Sequence, residues 1–466
     1  MSNKSPKIFF ASGAGMVTGS NFVFETTAGQ RIVIDCGMVQ GERVQMSINY
    51  ESFPYDARSI QALIITHAHL DHVGRIPKLV KEGFTGPIYS TLQTRELAEL
   101  VLADAVNIIA EEARREGIDP IYVADDVPRA FANWQTVSYH EEFAPVPGTS
   151  VILKDAGHIL GSSIVELTTP GAGGTPMTIA FSGDLGNSPA PLLRDTEPLS
   201  QVDYLVVEST YGNNNHEPKE ARLAKFEAVI KATLGQGGTL IIPAFSVDRT
   251  QVLLYELNNL IEQGRIPRVP VLVDSPMGIK ATQIYKHSES LFNDAVRAQI
   301  AKGDDIFTFP GVEYTETQND SVAIDHLKGA KIIMAGSGMS VGGRILRHEE
   351  HFLPDPKNTL LLVGYQGAGS LGRALAEGAK KIHVQGREVP VRARVETMYG
   401  YSAHKDSDHL VQFVATAAAP DGTSRLKQVF VVHGEPAAAM HLAQRLNDEL
   451  DAHAVMPRVG QWYELI

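Results

Sequence analysis

Short apolar runs broken by Gly, Pro and Asp dominate residues 1–210. KIFFA (7–11), NFVFET (21–26), RIVIDCG (31–37), ALIIT (62–66) and PIYST (87–91) have the length and β-branched content of strands. So do SVILKD (150–155), SSIVEL (162–167), TIAFSGD (178–184) and YLVVES (204–209). PKLVKEG (77–83) and TRELAELVLADAVNIIAEEARR (94–115) carry helical periodicity, and PGAGGTP (170–176) predicts a hairpin turn. Strands with helices between and around them predict layered α/β packing.

The rhythm changes in the middle. GTLIIPAF (238–245), PVLVDSP (270–276), AKIIMAGSG (330–338) and NTLLLVGYQG (358–367) are compact apolar strands, each followed by a helical pattern or a Gly-rich turn. That repetition predicts parallel β/α units and a second open sheet. Beyond about residue 395 the chain returns to short strands and one helix, through VETMYGYSAH, SDHLVQFVATAA, QVFVVHGEP and AAAMHLAQRLNDELDA.

Composition narrows the class. A chain of 466 residues can hold two or three domains with sizeable cores. No run of 18 apolar residues occurs, and MSNKSPKIFFASGAG does not read as a signal peptide, so no membrane segment and no export are expected. The one cysteine, Cys36, excludes an intramolecular disulfide and suits the cytoplasm; it reads as a packed core thiol. A net charge of −13 argues against a nucleic-acid partner unless positive charge is supplied locally.

The densest chemistry is THAHLDH (66–72), just after the apolar run ALII. His67 and His69 are two apart, so on an extended segment they face the same way. Asp71 and His72 follow in the turn, and one loop could then serve two adjacent ions. Imidazole and carboxylate suit zinc, with manganese as the alternative. A lone HxH is more often a histidine-rich surface loop; HxHxDH between a buried strand and a helix is much more specific. The remaining ligands are expected at other strand ends. DAGHILGS offers His158, FSGDLGN offers Asp184 and VFVVHGE offers His433. Singly each is as readily an ordinary turn. Together they complete a shell of five histidines and two aspartates.

The order HxHxDH, GH, GD resembles the metallo-β-lactamase superfamily. That resemblance implies an αββα sandwich with two metals at the sheet edges. One ion would take His67, His69 and His158, and the other Asp71, His72 and His433, with Asp184 bridging. Asp35, at the end of RIVIDCG, would orient ligands from behind. VVEST with Glu208, then YSAH with Ser402 and His404, then HGE, resembles the β-CASP nucleases within that superfamily. GAGMVTGSN, DCGMVQG, PAFSVDRTQ, DSPMG and GSGM agree, and the likeness spans nearly the whole chain. It implies a metallo-β-lactamase domain over 1–209 and 398–466, with a β-CASP domain over 210–397 inserted as a lid. Two departures stand out: Asp248 sits where many relatives carry glycine, and no KH-like extension or added C-terminal domain is read.

The implied function is a two-metal ribonuclease, an endonuclease with 5′-exonuclease activity also open, leaving a 3′-hydroxyl and a 5′-phosphate. Asp71 and Asp184 set two negative charges against four positive, which supplies the local attraction that an acidic chain lacks. His404, oriented by Glu208, is the candidate general acid; an isolated SAH would more often be a turn histidine. RNA is expected in the cleft between domains, near Ser246, Arg249, Ser337, Gly338 and Arg373 at strand carboxyl ends, and near Ser402. Homodimerisation rests on resemblance alone. Two rivals remain: a hydrolase of a thioester, lactone or small phosphodiester, and a non-catalytic RNA-binding scaffold. GAGSLG (367–372) imitates a dinucleotide fingerprint, but KIHVQGRE supplies no clear acidic partner, so a Gly-rich turn is the better reading.

Overall fold

The computed structural model describes residues 4–41, 46–367, 369–418 and 424–466. Within GAGSLG, Ala368 lies outside the described residues. Two compact units emerge. The first comprises Met1–Ala190, Arg194–Asn215 and His404–Ile466, and the second Pro191–Leu193 and His216–Ala403. The sequence reading puts the inserted segment at 210–397.

The first unit begins with β1 (Lys7–Ser12), β2 (Asn21–Glu25), β3 (Arg31–Ile34), β4 (Ala62–Ile64), β5 (Ile88–Ser90) and β6 (Trp134–Thr136). It continues with β7 (Ser150–Asp155), β8 (Ser163–Pro170), β9 (Pro176–Phe181) and β10 (Tyr204–Glu208). The second unit supplies β11 (Thr239–Pro243), β12 (Val271–Asp274), β13 (Val312–Tyr314), β14 (Lys331–Ala335), β15 (Thr359–Val363), β16 (Lys381–Val384), β17 (Arg387–Pro390) and β18 (Arg394–Met398). The chain then returns to the first unit with β19 (Gln428–Val432), β20 (Ala454–Val455) and β21 (Trp462–Glu464).

In the first unit, a seven-stranded sheet runs β21-β1-β2-β3-β4-β5-β6 and a six-stranded sheet runs β20-β19-β10-β9-β8-β7. Alternate side chains of the two sheets meet in one core. Ile8, Phe10, Phe22 and Ile32 join Val165, Leu167, Val206 and Phe430. The other faces of β10 and β19 are also covered. Leu205, Val207, Val429 and Val431 pack under the helices Ser407–Ala415 and Pro436–Leu450. Strands buried on both faces lose the polar alternation of a half-exposed strand, which is why the runs LVV (205–207) and VFVV (429–432) are apolar throughout. Strand, helix and turn thus form the expected αββα layers.

The second unit holds a six-stranded parallel sheet ordered β13-β12-β14-β11-β15-β18, and β16 pairs antiparallel with β17. Its four inner strands are buried throughout, the edge strands β13 and β18 only in part, and helices such as Arg249–Glu262 supply the crossovers.

The sequence pattern misses β6, β13, β17, β20 and β21. Each has two to four residues and takes its conformation from a neighbour: β6 from β5, β13 from β12, β17 from β16, β20 from β19, β21 from β1. Beyond residue 398 there are two long helices, not one, because the first of them starts immediately after YSAHK, on an Asp406 cap. PGAGGTP is the β8–β9 turn, as expected.

Candidate metal centre

The THAHLDH loop is built by exclusion of side chains as much as by their presence. After β4 the chain stays buried through His67, and His69 caps the short helix Leu70–Val73. This turn presents Asp71 and His72 two and three residues after the cap. The loop is pinned from behind: Cys36 N–H donates to His72 O (2.8 Å), Met38 N–H to Leu70 O (3.0 Å) and Ser20 N–H to Asp71 O (2.9 Å). A Cβ at Gly37 would fall 1.5 Å from Asp71 O, so only glycine lets the two segments approach.

The distant candidates arrive at strand ends. β9, β10 and β19 are parallel neighbours, so Asp184, Glu208 and His433 leave one edge of the sheet. His158 lies in the turn between β7 and β8. All seven candidate ligands converge. His67, His69, His158 and Asp184 place one donor atom each within 4.8 Å of the others, and Asp71, His72 and His433 form a second such group. Asp184 divides between them. Its Oδ2 is 3.3 Å from His67 Nε2 and 3.6 Å from His158 Nε2. Its Oδ1 is 3.3 Å from His72 Nε2 and 3.5 Å from His433 Nε2, while Asp71 Oδ2 is 3.7 Å from His433 Nε2.

Hydrogen bonds behind the ring settle which nitrogen faces in. His72 Nδ1–H donates to Asp35 Oδ2 (2.7 Å), so Nε2 turns a lone pair toward Asp184. Thr66 Oγ1–H also donates to Asp35 Oδ2 (2.8 Å), and Thr66 N–H donates to Oδ1 (2.8 Å). With its proton committed, the Thr66 hydroxyl accepts from His67 Nδ1 (3.1 Å), which aims His67 Nε2 inward. Ser20 Oγ lies 3.0 Å from His433 Nδ1. This is the carboxylate–histidine support typical of metal sites. Asp35 and His433 also have left-handed backbones, φ 58° and 48°, an unusual state for side chains of their kind and one that concentrates at functional sites.

Divalent ions fit this donor set. His72 Nε2 and Asp184 Oδ1 are buried without a hydrogen-bond partner. Both are acceptors, and only a proton or a cation between them relieves their repulsion. The inward atoms His67 Nε2, His69 Nδ1 and His158 Nε2 are spaced at 3.1 and 3.2 Å, close to the edge of a tetrahedron of ligands about 2.0–2.1 Å from zinc. Burial and then the neighbouring imidazoles hold His69 and His158 well below the usual histidine range, which keeps them in the neutral form that binds metal. Burial opposes ionisation of Asp184, but the surrounding histidines outweigh it and hold the carboxyl well below its ordinary range. At His72 burial is likewise outweighed, by Asp184 and Asp35, which draw positive charge to the ring.

Beside this cluster, His404 Nδ1 faces both oxygens of Glu208, at 3.2 and 3.1 Å. Glu208 is itself fixed by Leu185 N–H, which donates to its Oε1 (2.7 Å). Burial would depress the His404 pKa, yet the Glu208 carboxylate raises it to about 9. Cys36 is fully buried and its thiol is pushed up to about 12, as befits an inert core residue.

The six candidate RNA-contact residues all lie in the second unit. Ser246 Oγ is tied to Ser275 Oγ (2.9 Å), and Ser337 Oγ accepts from Val341 N–H (3.0 Å). Arg249 is buried beside Asp248 and the Tyr401 ring, so it is no solvated surface charge. Arg373 is exposed and holds Glu377 (2.6 Å). Gly338 and Ser402 are buried. Asp248 has φ 70°, a conformation glycine adopts readily, which accounts for the glycine expected there. Sequence reasoning missed Thr66 and Ser20 as supports. Both stand inside motifs already singled out, THAHLDH and GAGMVTGSN, but a hydroxyl's partner is visible only in three dimensions.

Comparisons with known proteins identify the family. A model of the metallo-β-lactamase superfamily matches residues 15–188, one of the Beta-Casp domain matches 250–375, and one of the Zn-dependent metallo-hydrolase RNA specificity domain matches 388–457. The chain is 36% identical over 430 residues to Ribonuclease TTHA0252 of Thermus thermophilus, covering 92% of this chain and 93% of that protein. It is 31% identical over 450 residues to Transcription termination factor FttA of Methanosarcina mazei, covering 94% and 69% respectively. A crystal structure of a protein of unknown function from Enterococcus faecalis V583 shares the fold, with a TM-score of 0.55 at 11% identity over 99% of this chain and 100% of that one. The chain belongs to the metallo-β-lactamase superfamily and, within it, to the β-CASP family.

Proposed function

We propose that this protein is a two-zinc ribonuclease that hydrolyses RNA phosphodiester bonds, cutting internally and also working from a 5′ end. The observation that carries the reading is the division of Asp184 between two donor groups, with Glu208–His404 alongside. RNA as substrate is supported by the RNA specificity match over 388–457 and by the ribonuclease relative. His67, His69, His158 and Asp184 would hold one ion, and Asp71, His72, His433 and Asp184 the other. Bound there, the ions supply Lewis-acid stabilisation of a phosphoryl group and acidify water near neutral pH.

The side chains do the rest. Asp35, Thr66 and Ser20 hold the imidazoles in the metal-binding tautomer, so no reorganisation is needed during turnover. Glu208 fixes the His404 ring through Nδ1, leaving Nε2 to protonate the departing 3′-oxygen. The products are a 3′-hydroxyl and a 5′-phosphate. Among the described residues no helix is long and apolar enough to cross a membrane; cytoplasmic location and homodimer formation complete the proposal.

The test is incubation of the purified protein with 5′- and 3′-labelled RNA, with and without chelator. Cleavage that chelator abolishes and zinc restores is expected. Chelator-insensitive cleavage, or none by the zinc-loaded protein, overturns the reading. His404→Ala should cut turnover ~10²–10⁴-fold while bound metal stays constant; equal loss of both would make His404 structural.

A further inference from the structure

Four neighbouring strands of the second unit, β14, β11, β15 and β18, are parallel, so their carboxyl ends open along one edge. Just past those ends come Met339, Phe245, Tyr365 and Tyr399. The fold hides nearly all its aromatic rings. Among the described residues only Tyr50, Phe245 and Tyr399 are exposed, at 38%, 37% and 46%, and two of the three sit on this edge. Tyr365, past β15, and Met339, past β14, are half-buried on the neighbouring turns.

The turns after β14, β11 and β15 pack against one another. A Cβ on Gly338 would lie 2.6 Å from the Phe245 ring, so the missing side chain is what gives that ring its place. A Cβ on Gly367 would meet Met339 Sδ at 3.4 Å and the Tyr365 ring at 3.9 Å. Gln366 ties the two turns by donating from Nε2 to Gly338 O (3.1 Å). The Arg373 guanidinium lies within electrostatic reach of both tyrosine hydroxyls.

We propose that this edge is a base-stacking platform, on which Phe245 and Tyr399 each take the face of an unpaired nucleobase of RNA. The inference rests on the ribonuclease reading and adds to it the two rings that would hold bases of the bound strand. Charge decides the matter. Away from the metal centre, a chain of net charge −13 can draw little affinity from phosphate neutralisation, which is the usual source of nucleic-acid binding. Stacking on aromatic rings is the other large attractive contribution, and it needs open rings beside a cation, as found here. Tyr399 also falls inside the segment matched as an RNA specificity domain. Bases locked in a duplex cannot reach such a surface.

The experiment measures binding of a labelled single-stranded RNA and of the same strand with abasic positions. The host is the full chain carrying His404→Ala, to halt turnover. Phe245→Ala and Tyr399→Ala should each weaken the intact strand about tenfold, and Phe245→Trp and Tyr399→Phe should restore it. The abasic strand should bind weakly and ignore all four changes. Introduced singly into the wild-type chain, the same substitutions should leave hydrolysis of bis(p-nitrophenyl) phosphate, which has no nucleobase, within about twofold. Equal binding of intact and abasic strands, or RNA binding that alanine leaves unchanged, overturns the platform while leaving the ribonuclease standing. Failure of the wild-type chain to cleave RNA while hydrolysing the small diester removes the ribonuclease reading itself.

Discussion

Two buried histidines, one in each unit, are held in the same way. His72 donates from Nδ1 to Asp35 at 2.7 Å, and His348 pairs through Nε2 with Asp274 at 2.7 Å. In each, the other ring nitrogen is buried without a hydrogen-bond partner and faces a carboxylate oxygen that also lacks one. His72 Nε2 faces Asp184 Oδ1 at 3.3 Å, and His348 Nδ1 faces Asp325 Oδ1 at 4.0 Å. What differs is the surrounding charge. Asp274 and Asp325 already hold Arg344 and Arg347. Among the described residues, Asp184 and Asp71 pair with imidazoles only. An oriented imidazole therefore does not make a metal site by itself. It does so where fixed cations are missing and several neutral donors converge; next to arginines the same motif is an ion-pair network.

That contrast is breakable. The largest effect is expected from Asp184→Asn, which removes the charge shared by both donor groups. Metal analysis should show loss of at least one ion per chain, and RNA hydrolysis should fall by on the order of 10³-fold, about 4 kcal/mol of barrier. His348→Ala should leave metal content untouched but lower stability by about 3 kcal/mol, read from urea unfolding, because Asp274 keeps a buried charge with less compensation. Loss of metal in that variant would erase the distinction between the two units.

Asp35→Asn should be milder. The ligands stay, but His72 loses its carboxylate support, and zinc affinity should drop by about 10–100-fold in a chelator competition. An acid titration gives the smallest effect. Burial would raise the Asp274 pKa, but hydrogen bonds from His348, Ser321 and Arg344 lower it from 3.8 to about 2. A depressed carboxyl pKa stabilises the fold above its unfolded value and loses that contribution as pH falls through the folded one. Wild type should therefore lose ~2 kcal/mol between about pH 4 and pH 2 that Asp274→Asn does not lose, seen as a difference in their unfolding midpoints.

The candidate site is most legible in the sequence where its chemistry is local. THAHLDH carries four donors in one turn, and a buried strand before it is legible from apolar residues alone. His158, Asp184 and His433 were legible more weakly, each as a polar residue ending an apolar run. Short edge strands such as β21 were not legible, since three residues at the C-terminus become a strand only by pairing with β1. The hydroxyls of Ser20 and Thr66 were equally silent. Their roles depend on partners 413 and 31 residues away for Ser20–His433 and Thr66–Asp35.

Residue types and their spacing were enough to determine the class of chemistry, because metal donors and strand periodicity are properties of nearby positions. Convergence was decided by the tertiary structure. Parallel pairing of β9, β10 and β19 brings three distant strand ends to one edge, and the hydrogen bonds behind His67 and His72 turn their Nε2 lone pairs toward the same space. So does the exposed row of Phe245 and Tyr399, which no local pattern separates from core aromatics: whether a ring is covered depends on what the rest of the chain lays over it.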